Sequence, residues 1–108
     1  MKLTYHASVE RRNRIEYIKE NIGFGHSLAV TYYHSINRKR NTPSKTVLTD
    51  TGIILIYAID TNELITAYIA SVKEGTAIYK KYFNVSRCPS WFMNVLHENE
   101  YWEQNKPE

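Results

Sequence analysis

Four side chains of this 108-residue sequence have the chemistry to cleave RNA without a metal ion: His6, Arg14, Thr66 and Tyr68. In such a reaction the 2′-hydroxyl of the RNA is itself the nucleophile. The protein therefore has to supply a base, an acid, and cations or hydroxyls around the pentavalent phosphate. We expect His6 and Arg14 to bind and protonate at the phosphate, while Thr66 and Tyr68 hold the scissile group.

Each of these residues also has a purely structural interpretation. His6 stands near the start of a predicted helix and would serve there as a capping or surface histidine. Thr66 fits a strand through its β-propensity alone, and Tyr68 fits one as a half-buried aromatic residue. Arg11 falls on the apolar stripe of the helix, so its guanidinium must extend to solvent or meet an acceptor.

Positive charge is concentrated in the first part of the chain. Residues 1–45 carry nine Lys and Arg against three Glu, giving +6, whereas residues 46–108 carry five basic and eight acidic residues, giving −3. Such asymmetry predicts a basic surface that meets phosphate. The charge alone leaves RNA and DNA both open, and RNA is preferred as the substrate of the reaction above. The candidate nucleic-acid-binding residues are Arg11, Arg12, Arg38, Lys39, Arg40 and Lys45. The alternative is a solvated helix on which the first arginines are interspersed with glutamates.

Composition argues against several other classes of protein. There is one cysteine, Cys88, and the four histidines have no i, i+4 spacing, so we expect no metal and no cofactor. The longest apolar run, residues 53–59, is far shorter than the ~20 residues of a membrane-spanning helix. The first residues lack the apolar segment of a signal peptide. These features predict a cytoplasmic protein with no membrane partner.

The elements that would position these residues follow from periodicity and turn chemistry. Helical spacing predicts a helix over 7–22 and a second over 26–36, the latter burying Leu28, Ala29, Tyr32 and Ile36. Strands are predicted over 46–49, 53–58 and 64–71 as an antiparallel meander. Helices over 72–82 and 89–104 follow, the last with Trp91, Val95, Tyr101 and Trp102 facing inward. The prediction is a single α+β domain over 1–108, with two amino-terminal helices, a three-stranded antiparallel meander and carboxy-terminal helices.

Two short segments carry a resemblance to a known group. Tyr5-His6-Ala7 before an arginine-rich helix, and Leu64-Ile65-Thr66-Ala67-Tyr68 at the end of the meander, resemble small phage and mobile-element members of the barnase/colicin/RelE ribonuclease superfamily. Those relatives place arginines four and eight residues after the histidine; here Arg14 matches the eighth position and Glu10 occupies the fourth. The resemblance implies a metal-independent ribonuclease of toxin or mobile-element type. Whether it has a protein partner, such as an antitoxin or a host enzyme, stays open.

Two other functions fit the same sequence. A non-enzymatic nucleic-acid-binding protein would use the run from Arg38 to Arg40, with tyrosines as stacking surfaces. A phage-encoded protein-interaction module that inhibits a host or defence enzyme would use aromatic anchors on the last helix: Trp91, Phe92, Tyr101 and Trp102. Whether the chain is an enzyme therefore stays open at this stage.

Overall fold

A computed structural model describes residues 2–3, 12–33 and 43–107 of the chain. It confirms the α+β class. Eight elements are present in these ranges, in the order β1 (Lys2–Leu3), α1 (Arg12–Asn21), β2 (Ser27–Tyr33), β3 (Ser44–Thr49), β4 (Ile53–Ala58), β5 (Glu63–Ile69), α2 (Val72–Phe83) and α3 (Ser90–Gln104).

The strands form one five-stranded sheet in the order β1-β5-β4-β3-β2. Strands β2 to β5 are antiparallel neighbours, whereas the two-residue β1 runs parallel to β5 at the sheet edge. The predicted meander is thus present as β3, β4 and β5. The sheet has one further strand on each side of the meander, β1 beside β5 and β2 beside β3. Neither of these two strands was predicted.

Strand β2 replaces the predicted second helix over 26–36. Its residues read Ser-Leu-Ala-Val-Thr-Tyr-Tyr, rich in the β-branched and aromatic side chains that favour strands. Of the four side chains predicted to be buried by that helix, Ala29 is buried, Leu28 is half-buried and Tyr32 is exposed, while Ile36 lies outside the described residues. The helical prediction was wrong because a segment of only seven residues is too short to distinguish the 3.6-residue period of a helix from the two-residue period of a strand.

A β-bulge in β5 changes which side chains share a face. Ile56 pairs with Thr66 and the next residue, Tyr57, pairs with Leu64, so Ile65 is the extra residue. Leu64 is therefore buried beside Ala67 on one face, in the place that the strict alternation predicted for Ile65. The predicted pairing of Tyr68 with Ala70 on the other face is confirmed.

Each face of the sheet has its own hydrophobic core. Helix α1 packs Ile15 and Ile18 onto the face that carries Leu55 and Ala67, which we call the α1 face. Helices α2 and α3 cover the opposite face, where Phe92 and Leu96 are fully buried. A helix is about 10 Å wide and strands lie about 4.8 Å apart, so one helix covers about two strands. Since α1 lies against β5, the half of its face formed by β2 and β3 has no described helix over it.

Helix α2 begins and ends at recognisable capping signals. The Ser71 hydroxyl accepts a hydrogen bond from the backbone N–H of Glu74 at 3.0 Å and caps α2, which ends at Asn84 in the left-handed conformation.

On α3 the fully buried side chains are Phe92 and Leu96. The inward orientation predicted for Trp91 and Tyr101 is wrong: they are 47% and 61% exposed, because they lie off the stripe that contains Phe92 and Leu96.

No helix in the described ranges is both long and apolar enough to cross a bilayer.

Candidate nucleic-acid interface

The uncovered half of the α1 face carries two tyrosines with a lysine between them. Tyr32 of β2 pairs with Lys45 of β3, and Lys45 pairs in turn with Tyr57 of β4. Directly paired residues project on the same side of a sheet, so the three side chains form one row across three strands. The Lys45 Nζ lies 5.4 Å from the centroid of the Tyr57 ring, which is cation–π distance.

Behind this row a second row continues the same surface. It consists of Val30, Val47 and Leu55, of which Val47 and Leu55 are buried and form the floor of the site. The two rows together are called the open sheet face below. A concavity of about 680 Å³ lies over them, extending from Thr61 and Asn62 at one end to Gly25 at the other. The hollow is therefore wide enough for more than one flat ring.

Exposure distinguishes Tyr32 from the other large apolar and aromatic side chains. It is 66% exposed, the highest value among the exposed large hydrophobics of the described residues. None of the ring pairs within the described ranges includes Tyr32 or Tyr57. The Tyr32 ring is thus open to an external stacking partner, whereas Tyr57 is half-buried beside it with Lys45 over its ring.

The charge of the open sheet face comes from Lys45. It is the one ionised side chain among the described residues that line the concavity. Burial raises the pKa of Tyr57, so its phenol stays neutral throughout the physiological range. The surface therefore presents one cation and two neutral rings, an arrangement suited to an anion that carries flat aromatic groups.

The connection between β2 and β3 lies at the end of the sheet that carries Tyr32 and Lys45. Strand β2 ends at Tyr33 and β3 begins at Ser44, so the two strands open at the end of the sheet that carries Tyr32 and Lys45. The chain re-enters the described range at Pro43, whose carbonyl oxygen accepts a hydrogen bond from the Ile59 N–H at 3.1 Å. The predicted basic residues Arg38, Lys39 and Arg40 belong to the intervening segment, which is outside the described residues.

Two of the four predicted catalytic residues line one cavity. Arg14 of α1 and Tyr68 of β5 face a space of about 180 Å³ that is closed on the far side by Glu103 and Lys106. The Glu103 and Lys106 side chains form an ion pair. The Tyr68 hydroxyl donates to Glu74 Oε2 at 3.1 Å, so its oxygen is held at the start of α2.

The other two predicted catalytic residues are not brought to this cavity by the described structure. Thr66 is 6% exposed and lies opposite Ile56, on the face covered by α2 and α3 rather than under α1. His6 lies outside the described residues. Arg14 and Tyr68 thus meet, and Thr66 is a residue of the interior.

Of the predicted phosphate-binding residues, Lys45 is on the open sheet face. Arg12 is the first residue of α1, and its side chain is outside the described part of the chain, as is all of Arg11. Lys45 alone among the predicted binding residues therefore has a described side-chain contact at a candidate surface.

Sequence reasoning missed Tyr32 and Tyr57 as binding residues. The prediction placed Tyr32 in a helix core and Tyr57 in a strand covered on both sides. A usable signal was present, because Val30-Thr31-Tyr32-Tyr33 is a run of strand-favouring residues shortly before the first predicted strand. The register that pairs Tyr32 with Lys45 comes from the structure.

No group of three or more His, Cys, Asp or Glu side chains in the described ranges is arranged to hold a metal ion. Comparisons with protein-family models, with curated proteins and with solved structures find no match to this chain.

Proposed function

We propose that this protein binds single-stranded RNA on its open sheet face. The observation that supports the proposal is the Tyr32–Lys45–Tyr57 row, two unstacked rings on either side of a cation above a concavity of about 680 Å³. Proteins that bind single strands combine aromatic rings for the bases with positive charge for the backbone. The row has both parts on adjacent strands.

The spacing of the row suits two consecutive bases. Tyr32 and Tyr57 are separated by one intervening strand, which places them about 10 Å apart. One base would stack on each ring, and the phosphate that joins the two nucleotides would then lie above Lys45. The bases of a duplex are stacked on each other and have no free faces, so the arrangement favours a single strand.

Fluorescence anisotropy with a fluorescein-labelled single-stranded 12-mer RNA tests the proposal. Replacing a stacking ring by alanine removes about 1–3 kcal/mol per base, so Tyr32→Ala and Tyr57→Ala should each weaken binding about 5- to 150-fold. Tyr101→Ala is the matched control, since Tyr101 is 61% exposed on α3 and lies outside the open sheet face. It should bind like the wild type.

Two results would contradict the proposal: wild-type protein that does not bind the 12-mer at low salt, or tyrosine variants and control that lose affinity equally. A DNA 12-mer of the same sequence, run in parallel, reports whether the 2′-hydroxyl contributes.

A second candidate function, metal-independent cleavage of RNA, is favoured by the meeting of Arg14 and Tyr68 at one cavity. In that reaction the 2′-oxygen bonds to the adjacent phosphorus and the 5′-oxygen leaves with a proton, forming a 2′,3′-cyclic phosphate. Arg14 would stabilise the phosphorane charge, Tyr68 would hold the phosphate, and His6 would transfer the proton. Together with the sequence resemblance, this makes a ribonuclease of toxin or mobile-element type the enzymatic form of the proposal.

Cleavage is tested by incubating the protein with total RNA in excess EDTA. Arg14→Ala and His6→Ala should each slow cleavage about 100-fold or more, the lower limit for a lost acid–base or charge-stabilising group. Intact RNA with wild-type protein, or equal cleavage by His6→Ala, would exclude this second candidate and leave RNA binding standing.

The proposal includes a cytoplasmic location, where single-stranded RNA is found. A ribonuclease in that compartment would need a restraining protein such as an antitoxin, whereas an RNA-binding protein would not. Inhibition of a host enzyme is the remaining possibility for a protein partner.

A further inference from the structure

Several large apolar side chains are exposed to solvent at the junction of α2 and α3. Four of the seven exposed large hydrophobics among the described residues lie within ten residues of each other: Tyr82 at 51%, Phe83 at 41%, Val85 at 44% and Trp91 at 47%. Single exposed apolar residues are ordinary, but a contiguous group marks an interaction site. We call this group the junction surface.

The rings of the junction surface already contact one another. Phe83 lies 4.5 Å from Tyr79 and 5.0 Å from Tyr82, centroid to centroid, and Trp91 stands edge-on to Phe92 at 5.5 Å. Their faces are thus partly occupied, unlike that of Tyr32. The Tyr79 ring stacks on Phe92 at 5.2 Å, so a chain of ring contacts joins Phe83 on α2 to Trp91 on α3.

Positive charge surrounds this surface. Residues 75–97 contain Lys80, Lys81 and Arg87 and no carboxylate. All three cations are exposed. The net charge of the segment, with histidine neutral, is therefore +3, which favours an acidic partner.

A cavity of about 370 Å³ lies beside the junction surface. Val72, Cys88 and Met93 contribute apolar lining, and Lys80 and Arg87 contribute cationic ends. A large apolar side chain would fill the space, while a carboxylate next to it in sequence would meet either cation. Thr76 and Ser86 complete the lining, and the Thr76 hydroxyl already donates to the Val72 carbonyl oxygen at 2.7 Å. Few polar groups are therefore left for base edges, so a peptide suits this cavity better than RNA.

We infer that the junction surface binds an acidic segment of another protein, with apolar anchors that pack against Trp91 and enter the cavity beside Arg87. This inference goes beyond the proposed RNA binding and does not depend on it, because the junction surface lies on α2 and α3 and the open sheet face lies on β2, β3 and β4.

Selection from a display library of random 15-residue peptides against the full-length protein tests the inference. Selected peptides should be net acidic, with aromatic or aliphatic residues among the acids. Binding of a selected peptide, measured by isothermal titration calorimetry, should weaken about 30-fold in Trp91→Ala, the factor expected for an interface hot spot. The double variant Lys80→Glu/Arg87→Glu should weaken it at least as much.

Two variants serve as controls. Tyr101→Ala removes another exposed aromatic side chain from the same helix, and Tyr32→Ala removes one from the open sheet face. Both should bind the selected peptide like the wild type. Urea unfolding of every variant shows whether it remains folded, and Lys80 and Arg87 are exposed, so their replacement should leave the fold intact.

The inference is overturned if the selected peptides are neutral or basic, if no peptide is enriched, or if their binding is unchanged in both Trp91→Ala and the charge-reversed variant. It is also overturned if the RNA 12-mer displaces the peptide and Lys80→Glu/Arg87→Glu loses RNA affinity, since the surface would then bind nucleic acid. Failure of RNA binding with intact peptide binding would instead contradict only the proposed function.

Discussion

The two faces of the sheet carry similar large apolar and aromatic side chains, but one face buries them and the other leaves one of them exposed. On the face covered by α2 and α3, Phe92 and Leu96 are fully buried against Leu48 and Ile54. On the α1 face, Tyr32 and Tyr57 are comparably large and lie beside Lys45 of the intervening strand, yet Tyr32 is 66% exposed. The difference follows from the number of helices, two on one face and one described helix on the other.

This contrast shows which side chains stabilise the fold and which are available for binding. An aromatic ring that packs between two elements contributes mainly to the free energy of unfolding. An aromatic ring on an uncovered strand contributes little to it and is free to contact a ligand. Substitutions on the two faces should therefore separate stability from binding.

The largest expected effect is on the covered face. Phe92→Ala removes a fully buried ring, so the free energy of unfolding should fall by about 3–5 kcal/mol. Tyr32→Ala, on the open sheet face, should change it by about 0.5 kcal/mol or less. Urea unfolding followed by circular dichroism measures both. Equal destabilisation by the two variants would mean that Tyr32 is part of the core.

A slightly smaller effect is expected at the β3–β4 turn. Gly52 has φ +78°, and a Cβ on it would lie 2.6 Å from Asn99 Nδ2, so Gly52→Ala combines backbone strain with a clash. We expect a loss of about 2–4 kcal/mol in the free energy of unfolding, about half of it from each cause.

Gly23→Ala is the matched control for this glycine. Gly23 has φ +85°, but a Cβ there would meet nothing within 4 Å. Its loss in unfolding free energy should be only the strain, about 1–2 kcal/mol. If both variants lost the same unfolding free energy, the clash with Asn99 would add nothing to the cost of Gly52→Ala.

On the open sheet face, Lys45→Gln should change RNA affinity through its salt dependence. Removing one phosphate contact from a single strand lowers the slope of log K against log salt concentration by about 0.7. Anisotropy titrations from 50 to 300 mM KCl measure this slope. Lys73→Gln, which changes a lysine of α2, should leave it unaltered, and an unaltered slope in Lys45→Gln would place the phosphate elsewhere.

The smallest effect concerns the Tyr57 phenol at high pH. Burial raises the pKa of Tyr57, so the unfolded chain loses this proton before the folded chain does. Its contribution to stability is therefore complete below the unfolded pKa of about 10 and is lost as the pH rises from there through the folded pKa. Tyr57→Phe should lose less stability than the wild type between pH 9 and 11. Parallel curves for the two proteins over that interval would contradict the shift.

The local parts of the fold could be predicted from the sequence. Strand β4, at residues 53–58, is a β-branched run between two turn sequences, and its predicted bounds are those observed. The last helix follows Pro89, as its starting signal indicates. Both predictions depend on residues close together in the chain.

What could not be predicted depends on residues far apart in the chain. The pairing of β1 with β5 joins Leu3 to Leu64, and a two-residue strand has no period to detect. The bulge at Ile65 reverses the face of Leu64 without any turn residue to mark it. Arg14 and Tyr68 line one cavity. Thr66 lies two residues before Tyr68 on the same face of β5, yet it is buried in the interior opposite Ile56, which no local sequence signal indicates.

The hydrogen bond from Asn99 to the β3–β4 turn has a consequence for how the protein is made. The Asn99 amide donates to the Thr51 carbonyl oxygen at 2.7 Å, across 48 positions of sequence. A ribosome releases the hairpin well before it releases the residue that fastens its tip. The nascent sheet therefore stays incompletely held until Asn99 has left the ribosome, and a message that stops before Asn99 should yield a chain that proteases degrade.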